Sequence, residues 1–401
     1  MQRRLLVIGN GMSSLRLLEE LVALAPGRFD VTVVGAEASP AYNRVLLSPL
    51  LAGELAAADV ELRPAAWYAE NGITLRTGQP VVALDPVGRN AQLRDGQRLA
   101  FDVCVLATGS EPILLPLPGS HLAGVTTFRS HDDIATMRAA AATGLPAVVV
   151  GGGLLGIEAA YGLARTGAKV TLVHLMDRLM ERQLDAEAAR LLKRAMEAKG
   201  IRVLLRSSTR AILGGRRVRA VELADGRILP AALVVMAVGV KPSIRLAASA
   251  GLTTGRGIVV DDKLATSADG VYALGECAEH RSQCYGLIEP AYEQARVLAR
   301  HLAGRRDRYE GSLLATSLKV SGVPVFSIGD FEGAGGEAVL FEDREAGIYR
   351  KLVLRGDRLC GAVLIGDTGE AVWYRELVRQ QVSVAAIRGA LAFGKAYAEA
   401  A

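Results

Sequence analysis

Two short glycine-rich turns constrain this chain more than any other feature. The first runs Gly9-Asn10-Gly11-Met12-Ser13-Ser14, the second Gly151-Gly152-Gly153-Leu154-Leu155-Gly156. Each follows an apolar run, RRLLVIG at 3–9 and AVVV at 147–150, and precedes an apolar helical pattern. A second apolar run closes each unit, VTVV at 31–34 and VTLV at 170–173. Strand, glycine turn, helix and strand form a βαβ unit. Two such units, about 140 residues apart, predict an α/β fold with two separate doubly wound parallel sheets, each built like a Rossmann nucleotide-binding sheet.

The turn has a chemical logic. Its first glycine makes the tight bend, its second lets backbone approach a pyrophosphate, and its third position packs helix against strand. Gly9, Gly11 and Ser14 are therefore candidate dinucleotide contacts. Ser14 stands where a third glycine is usual, at some loss of closeness. The helix start offers free N–H groups and the positive end of its dipole to phosphates. Glu37, just past the second strand, is placed to bond a ribose hydroxyl. The second turn keeps all three glycines, with Gly153 and Gly156 in the contact positions. Past its second strand stands His174 rather than an acid. His174 or the nearby Arg178 faces a ribose 2′-hydroxyl or a 2′-phosphate, so NADH and NADPH both remain open.

Between the units lie short strand-like runs, Pro80–Leu84 and Ala91–Leu93, ending in FDVCVLATG at 101–109. Val81, in the first of these, is a candidate cofactor contact. After the second unit come strands at Val218–Leu223 and at Leu233–Val238, the latter running into Gly239. Further short runs, Gly257–Val260 and Gly270–Gly275, precede a helix over Pro290–Leu302. The polar stretch Gly304–Tyr309 reads as a linker. From Gly311 the texture changes to alternating strands, Val323–Ile328, Ala338–Phe341, Tyr349–Leu354 and Cys360–Ile365, with a helix over Glu370–Gln380. That is a small C-terminal α+β domain, and Lys395–Ala401 reads as a frayed tail.

At 401 residues the chain is long enough for two to three domains, and 50% hydrophobic with 22% charged residues excludes wholesale disorder. No apolar run reaches the roughly 18 residues of a membrane span. Arg3 and Arg4 before an apolar run mimic a signal peptide. The run breaks at Gly9-Asn10-Gly11 without a small-residue cleavage site, so the expected location is cytoplasmic. The net charge of +5 is mild, the basic runs at 216–219 and 305–308 read as solvated loops, and no nucleic-acid motif accompanies them. Four cysteines without a C-x-x-C pair exclude a disulfide framework and dithiol redox chemistry. Cys277-x-x-His280-x-x-x-Cys284 has metal-like spacing but lacks a fourth ligand nearby, so no metal is expected. Cys104 reads as a core residue.

The two glycine turns, with Ala107-Thr108-Gly109 and the run Thr266-Ser267 … Tyr272-Ala273-Leu274-Gly275-Glu276, resemble the two-dinucleotide-binding flavoproteins, the FAD-dependent pyridine nucleotide reductases. The resemblance covers about residues 3–310. It implies an FAD domain from 1–115 and 241–310, an NAD(P)H domain at 116–240, and a docking or assembly domain at 311–401. It implies FAD on the first turn, with the ribityl chain near Gly275 and Glu276, the latter replacing a usual Asp. It implies NAD(P)H at Gly153, Gly156 and Glu158, with Gly239 nearby. Glu158 would order the nicotinamide pocket; the other reading is a helix-start acid complementing the dipole. The helix starting near Pro290 would aim its N-terminus at the flavin, or else is an ordinary packing helix. Arg44 would line the FAD or the electron exit, or else is a surface residue.

Longer strings narrow the resemblance. AYNRVLLSPLLAGE (41–54), HLMDRLMERQLD (174–185), GECAEH (275–280), CYGLIEPAYEQARVLARHLAG (284–304), SLKVSGVPVFSIGDF (317–331) and GDTGEAVWYRELVR (366–379) resemble the FAD/NADH-binding portion of NADH-dependent nitrite reductase large subunits. They also resemble the FAD subunits of assimilatory nitrate reductases. This implies an oxidoreductase passing electrons from NADH through FAD to a partner, a nitrate or nitrite reductase catalytic subunit. The cysteine-rich iron–sulfur and sirohaem modules of such enzymes do not occur in these 401 residues, so nitrite reduction by this stretch itself is not expected. Three alternatives stand beside this reading: an NAD(P)H-dependent rubredoxin or ferredoxin reductase, a low-turnover FAD-binding sensor or scaffold, and a peroxide- or water-forming oxidase. The oxidase needs a redox cysteine at the flavin, and neither Cys104 nor Cys277 matches that placement. The oligomeric state is left open.

Overall fold

The strand Arg3–Ile8 is buried over its last four residues, as a strand covered on both faces must be. It sits at the centre of a five-stranded parallel sheet. In a computed structural model, which describes residues 2–318 and 322–400, the order is Val271–Ala273, Val103–Leu106, Arg3–Ile8, Phe29–Val34, Ile73–Arg76. The chain leaves the central strand first to one side and later returns on the other. The strand order therefore reverses beside Arg3–Ile8, and the carboxyl end of that strand is the switch point at which open α/β sheets bind their ligands. The helix Met12–Leu24 follows at once, packed against the helix Ile288–Leu302. This unit comprises Met1–Val45, Ala57–Glu111 and Val240–Ser312.

The second unit comprises Leu46–Ala56, Pro112–Gly239 and Leu313–Ala401. Its parallel sheet repeats the design, in the order Arg202–Leu204, Val170–Val173, Ala147–Val150, Leu233–Met236, Val125–Thr126. All four residues of Ala147–Val150 are buried, and the helix Leu154–Arg165 follows its glycine turn. The short helix Leu47–Ala52 lies on that helix: a Cβ on Gly162 would stand 2.7 Å from Leu51 Cδ2. Gly162 is small because another helix crosses there.

The same unit holds an antiparallel sheet ordered Ala315–Leu318, Val325–Gly329, Arg358–Ile365, Ile348–Arg355, Glu337–Asp343. The helix Ala371–Gln380 covers one face through Tyr374, Leu377 and Val378. The sheet is tied to the second nucleotide sheet through Asp185. That carboxylate caps the helix Ala186–Ala198 by accepting from Ala188 N at 3.0 Å. It also accepts from Tyr349 Oη at 2.8 Å and lies 3.3 Å from Lys351 Nζ.

The structure corrects some of these readings and adds to others. The helix over Lys395–Ala400 is formed, not frayed, because Lys395 N bonds the Glu370 carboxylate at 3.0 Å and Ala398 is buried. The stretch Gly304–Tyr309 is irregular but anchored at Tyr309, which is 2% exposed and donates its N–H to Asp262 O at 2.7 Å. The apolar pattern implies helices starting at Ser14, Ile157 and Pro290; they begin two or three residues earlier, at Met12, Leu154 and Ile288. The strand Ala315–Leu318 was not foreseen; its neighbours Lys319, Val320 and Ser321 lie outside the described residues.

Candidate functional site

The two glycine turns obey one steric rule. Gly9 has φ +112, and a Cβ there would lie 2.1 Å from Ala107 O. Gly151 has φ +117, and its Cβ would lie 2.2 Å from Ala237 O. Each turn thus passes against the end of the neighbouring strand at a distance that excludes any side chain. Gly11 and Gly153, the helix N-caps, are different. A Cβ on either meets nothing within 4 Å. The protein's own packing does not demand glycine there, and the open space lies in front of a helix N-terminus. In the first turn the buried Asn10 Nδ2 has no hydrogen-bond partner among the described residues. An open cradle with an orphaned donor at its edge fits a phosphate-bearing ligand.

The third positions diverge. A Cβ on Gly156 would stand 1.9 Å from Gly151 O, so glycine is obligatory. Ser14, buried at the equivalent place, folds its side chain back. Its Oγ accepts from Gly11 N at 2.8 Å and donates to Gly11 O at 2.9 Å. The serine therefore locks the first turn instead of merely loosening it.

Around the first turn the fold gathers several of the other candidates. Tyr42 Oη donates to Glu37 at 2.6 Å, and Arg44 donates to Tyr42 Oη at 2.6 Å and pairs with Glu37. The Arg44 guanidinium also lies over the Tyr42 ring, 4.7 Å from its centre. Ala107 directly follows the strand Val103–Leu106 and lies against Gly9, Thr108 Oγ1 donates to Ser243 O at 2.8 Å, and Gly109 has φ 66. The return segment comes alongside: a Cβ on Gly275 would lie 2.7 Å from Ser13 Oγ. Gly275 N donates to the buried Gln294 Oε1 at 2.7 Å, and Glu276 accepts from Ser110 Oγ at 2.8 Å. Pro290 is buried as the third residue of the helix Ile288–Leu302, where its missing N–H leaves no gap in the ladder. Val81 opens the strand Val81–Asp85 of a separate three-stranded sheet and packs partly buried against the core of this unit.

In the second unit Glu158 is 7% exposed. It is the fifth residue of its helix, past the first turn, so the helix-start reading does not hold. Burial alone pushes its carboxyl up to about 8. Near neutral pH the group is a neutral acid, able to donate a hydrogen bond. Ser48 Oγ donates to the Glu158 backbone carbonyl at 3.1 Å. Gly239 has φ +119, and its carbonyl accepts from Ile113 N at 3.0 Å.

His174 is not where an open ribose contact would need it. It is 8% exposed; its Nδ1 accepts from Gly152 N at 2.9 Å, and its Nε2 lies 3.0 Å from Glu181 Oε2. Gly152 and Glu181 were not foreseen. The signal for Gly152 was three consecutive glycines ahead of a βαβ unit whose second strand is followed by His: a Cβ on Gly152 would stand 2.6 Å from the imidazole. Arg178 pairs with Glu332 at 2.8 Å.

All four cysteines are free, and burial raises the Cys104 and Cys277 thiols, so neither is a ready thiolate. His280 is bonded to Asp262 at 2.9 Å. Among the described residues no group of three or more His, Cys, Asp or Glu is placed to hold a metal, and no helix is long and apolar enough to cross a membrane.

The family model for pyridine nucleotide-disulphide oxidoreductases matches residues 3–296. The chain belongs to that family. It is an FAD-dependent NAD(P)H oxidoreductase. A second model, the rubredoxin NAD+ reductase C-terminal domain, matches residues 315–382. The chain is 45% identical over 386 residues to a nitrite reductase [NAD(P)H] of Bacillus subtilis, covering 96% of this chain and 48% of that protein. It is 41% identical over 369 residues to the assimilatory nitrate reductase electron transfer subunit of the same organism, covering 92% and 48%. The chain therefore spans about half the length of these relatives. Among solved structures it is similar to a ferredoxin reductase from Rhodopseudomonas palustris, with a TM-score of 0.88 at 26% identity, covering 95% of this chain and 96% of that one.

Proposed function

We propose that this oxidoreductase carries electrons from NADH through FAD to the catalytic centre of an assimilatory nitrate or nitrite reductase. The observation that carries the reading is the pair of open glycine cradles on two separate parallel sheets, in a chain similar over nine-tenths of its length to two enzymes of nitrogen assimilation. The four free cysteines fit a reducing, cytoplasmic compartment.

Gly9, Gly11 and the Ser14-locked helix start would hold the FAD pyrophosphate. Glu37, kept in place by Tyr42 and Arg44, would accept from its adenosine ribose. Thr108, Gly109, Gly275 and Glu276 supply the ribityl side, and the helix carrying Pro290 brings its positive end. Bound FAD supplies a two-electron acceptor that also releases electrons singly. Gly153 and Gly156 leave room for the nicotinamide cofactor's pyrophosphate, with Gly239 at the neighbouring strand end. Glu158 holds its proton on a carboxyl oxygen at neutral pH and orients a carboxamide by donating to it. No side-chain nucleophile or base is required. The test loads the purified chain with FAD, reduces it with NADH, and mixes it with a nitrite reductase haem module, a ferredoxin and a rubredoxin. Fast reoxidation by the nitrogen-assimilation module alone supports the reading.

A second reading, NAD(P)H-dependent ferredoxin or rubredoxin reductase, has its own observation. The ferredoxin reductase is matched along 96% of its own length, and residues 315–382 match a rubredoxin reductase domain. Faster reoxidation by ferredoxin or rubredoxin would favour it.

A further inference from the structure

In a dinucleotide fold the side chain ending the second strand meets the adenosine ribose, and an acid there selects the free 2′-hydroxyl. Here that side chain is His174, and both of its nitrogens are engaged inside the protein. A backbone N–H can only donate, so Nδ1, 2.9 Å from Gly152 N, is the acceptor. The ring proton then sits on Nε2, which donates to Glu181 Oε2 at 3.0 Å. The imidazole works as a rigid spacer between the glycine turn and a carboxylate further along the loop. That loop is pinned a second time: Met180 N bonds Gly152 O at 2.9 Å. Met180 is fully buried at φ 49, a conformation a β-carbon disfavours, so the loop holds this shape against local strain. The Glu181 side chain stays 25% exposed, and among the described residues no donor reaches its Oε1.

We propose that Glu181, positioned by His174, is the residue that selects NADH over NADPH. Its carboxylate accepts from the ribose hydroxyls and repels a 2′-phosphate. The proposal rests on the assignment of the second turn to the nicotinamide cofactor. Two cations that could reverse the preference are engaged with carboxylates: Arg178 with Glu332 at 2.8 Å and Arg206 with Asp177 at 3.8 Å. Arg182 is exposed and is the cation a 2′-phosphate would have to recruit.

The test is calorimetric titration of the FAD-loaded chain with ADP-ribose and with 2′-phospho-ADP-ribose, ligands that cannot be oxidised or reduced. ADP-ribose should bind tighter by about thirtyfold, the scale of one like-charge contact. Glu181→Gln should bring the ratio below about fivefold, and Glu181→Arg should reverse it. His174→Ala should give the ratio of Glu181→Gln, and the double variant should add nothing further. Flavin content in each variant reports that the chain is folded. An unchanged ratio in Glu181→Gln, or a wild-type preference for the phosphorylated ligand, overturns the proposal alone. Wild type that holds FAD but binds neither ligand overturns the assignment of the second turn, and the proposal with it.

Discussion

Replacing Glu158 with Gln should flatten the pH dependence of stability. The carboxyl is 7% exposed, and burial pushes it from the ordinary 4.5 up to about 8. The folded value lies above the unfolded one. Below about 4.5 both states hold the proton, and the contribution to stability is fully present. As pH rises from there to about 8, the unfolded chain ionises while the folded chain keeps its proton, so stability falls. Each pH unit is worth about 1.4 kcal/mol, and three and a half units set a ceiling of about 5 kcal/mol. Local relaxation and water entry in real proteins reduce such figures by about half, leaving about 2 kcal/mol. In a unit of this size that is roughly 4–8 °C in Tm. Thermal unfolding of the FAD-saturated wild type and of Glu158→Gln, at pH 4.5 and at pH 8, measures it. The variant should gain on the wild type by that margin as pH rises. An infrared carbonyl band of a protonated acid should be present at neutral pH in the wild type and absent in the variant. Parallel Tm profiles would refute the reasoning, because an ionised Glu158 would then be solvated or paired in the folded chain.

Gly11→Val should leave the flavin-free fold within about 0.5 kcal/mol of wild type, since its Cβ meets nothing within 4 Å, yet abolish flavin retention. Absorbance of the purified variant decides it, and retained flavin would make the open cradle a structural accident. Gly153→Val should keep FAD while NADH no longer bleaches it; loss of FAD with NADH binding intact would exchange the two turns. Tyr349→Phe removes the 2.8 Å bond to Asp185 and should cost about 1 kcal/mol of the second unit's stability in a chemical unfolding curve. No loss would mean that Lys351 alone carries the tie.

What the sequence made legible was local. A strand, a glycine turn and a helix are specified by about twenty consecutive residues, because only glycine fits where the turn meets the next strand. Gly9 and Gly151 could be placed for that reason before any tertiary information. Ser14 could be placed but not understood, since its gain comes from two hydrogen bonds to Gly11 that a residue-type rule does not contain. His174 was placed at the strand end, yet its partners depend on how the following loop closes. That closure is set by Met180 in a left-handed conformation, which no propensity predicts for a buried methionine. The polarity of Gly304–Tyr309 marks a loop, but it does not show that Tyr309 is anchored by Asp262.

Asp185 shows why the C-terminal segment could not be read as an independent module. By sequence it is an ordinary N-cap, an acid three residues before a helix's first buried face. One carboxylate oxygen accepts from Ala188 N, and the other accepts from Tyr349 Oη and faces Lys351. A cap that would otherwise be solvated is thereby 15% exposed on its side chain and committed to a sheet that begins far downstream. Removing residues 311–401 would leave that carboxylate without two of its partners and uncover the face of the helix Ala186–Ala198 that packs on the strand Arg358–Ile365. A truncated chain that lost all activity would therefore report on the second unit's stability as much as on partner docking. Substitutions confined to exposed side chains of the C-terminal sheet and helix, such as Leu340 and Val372, separate the two effects. They leave the Asp185 tie intact, so a loss of transfer to the partner without a loss of NADH-to-dye transfer would come from docking alone.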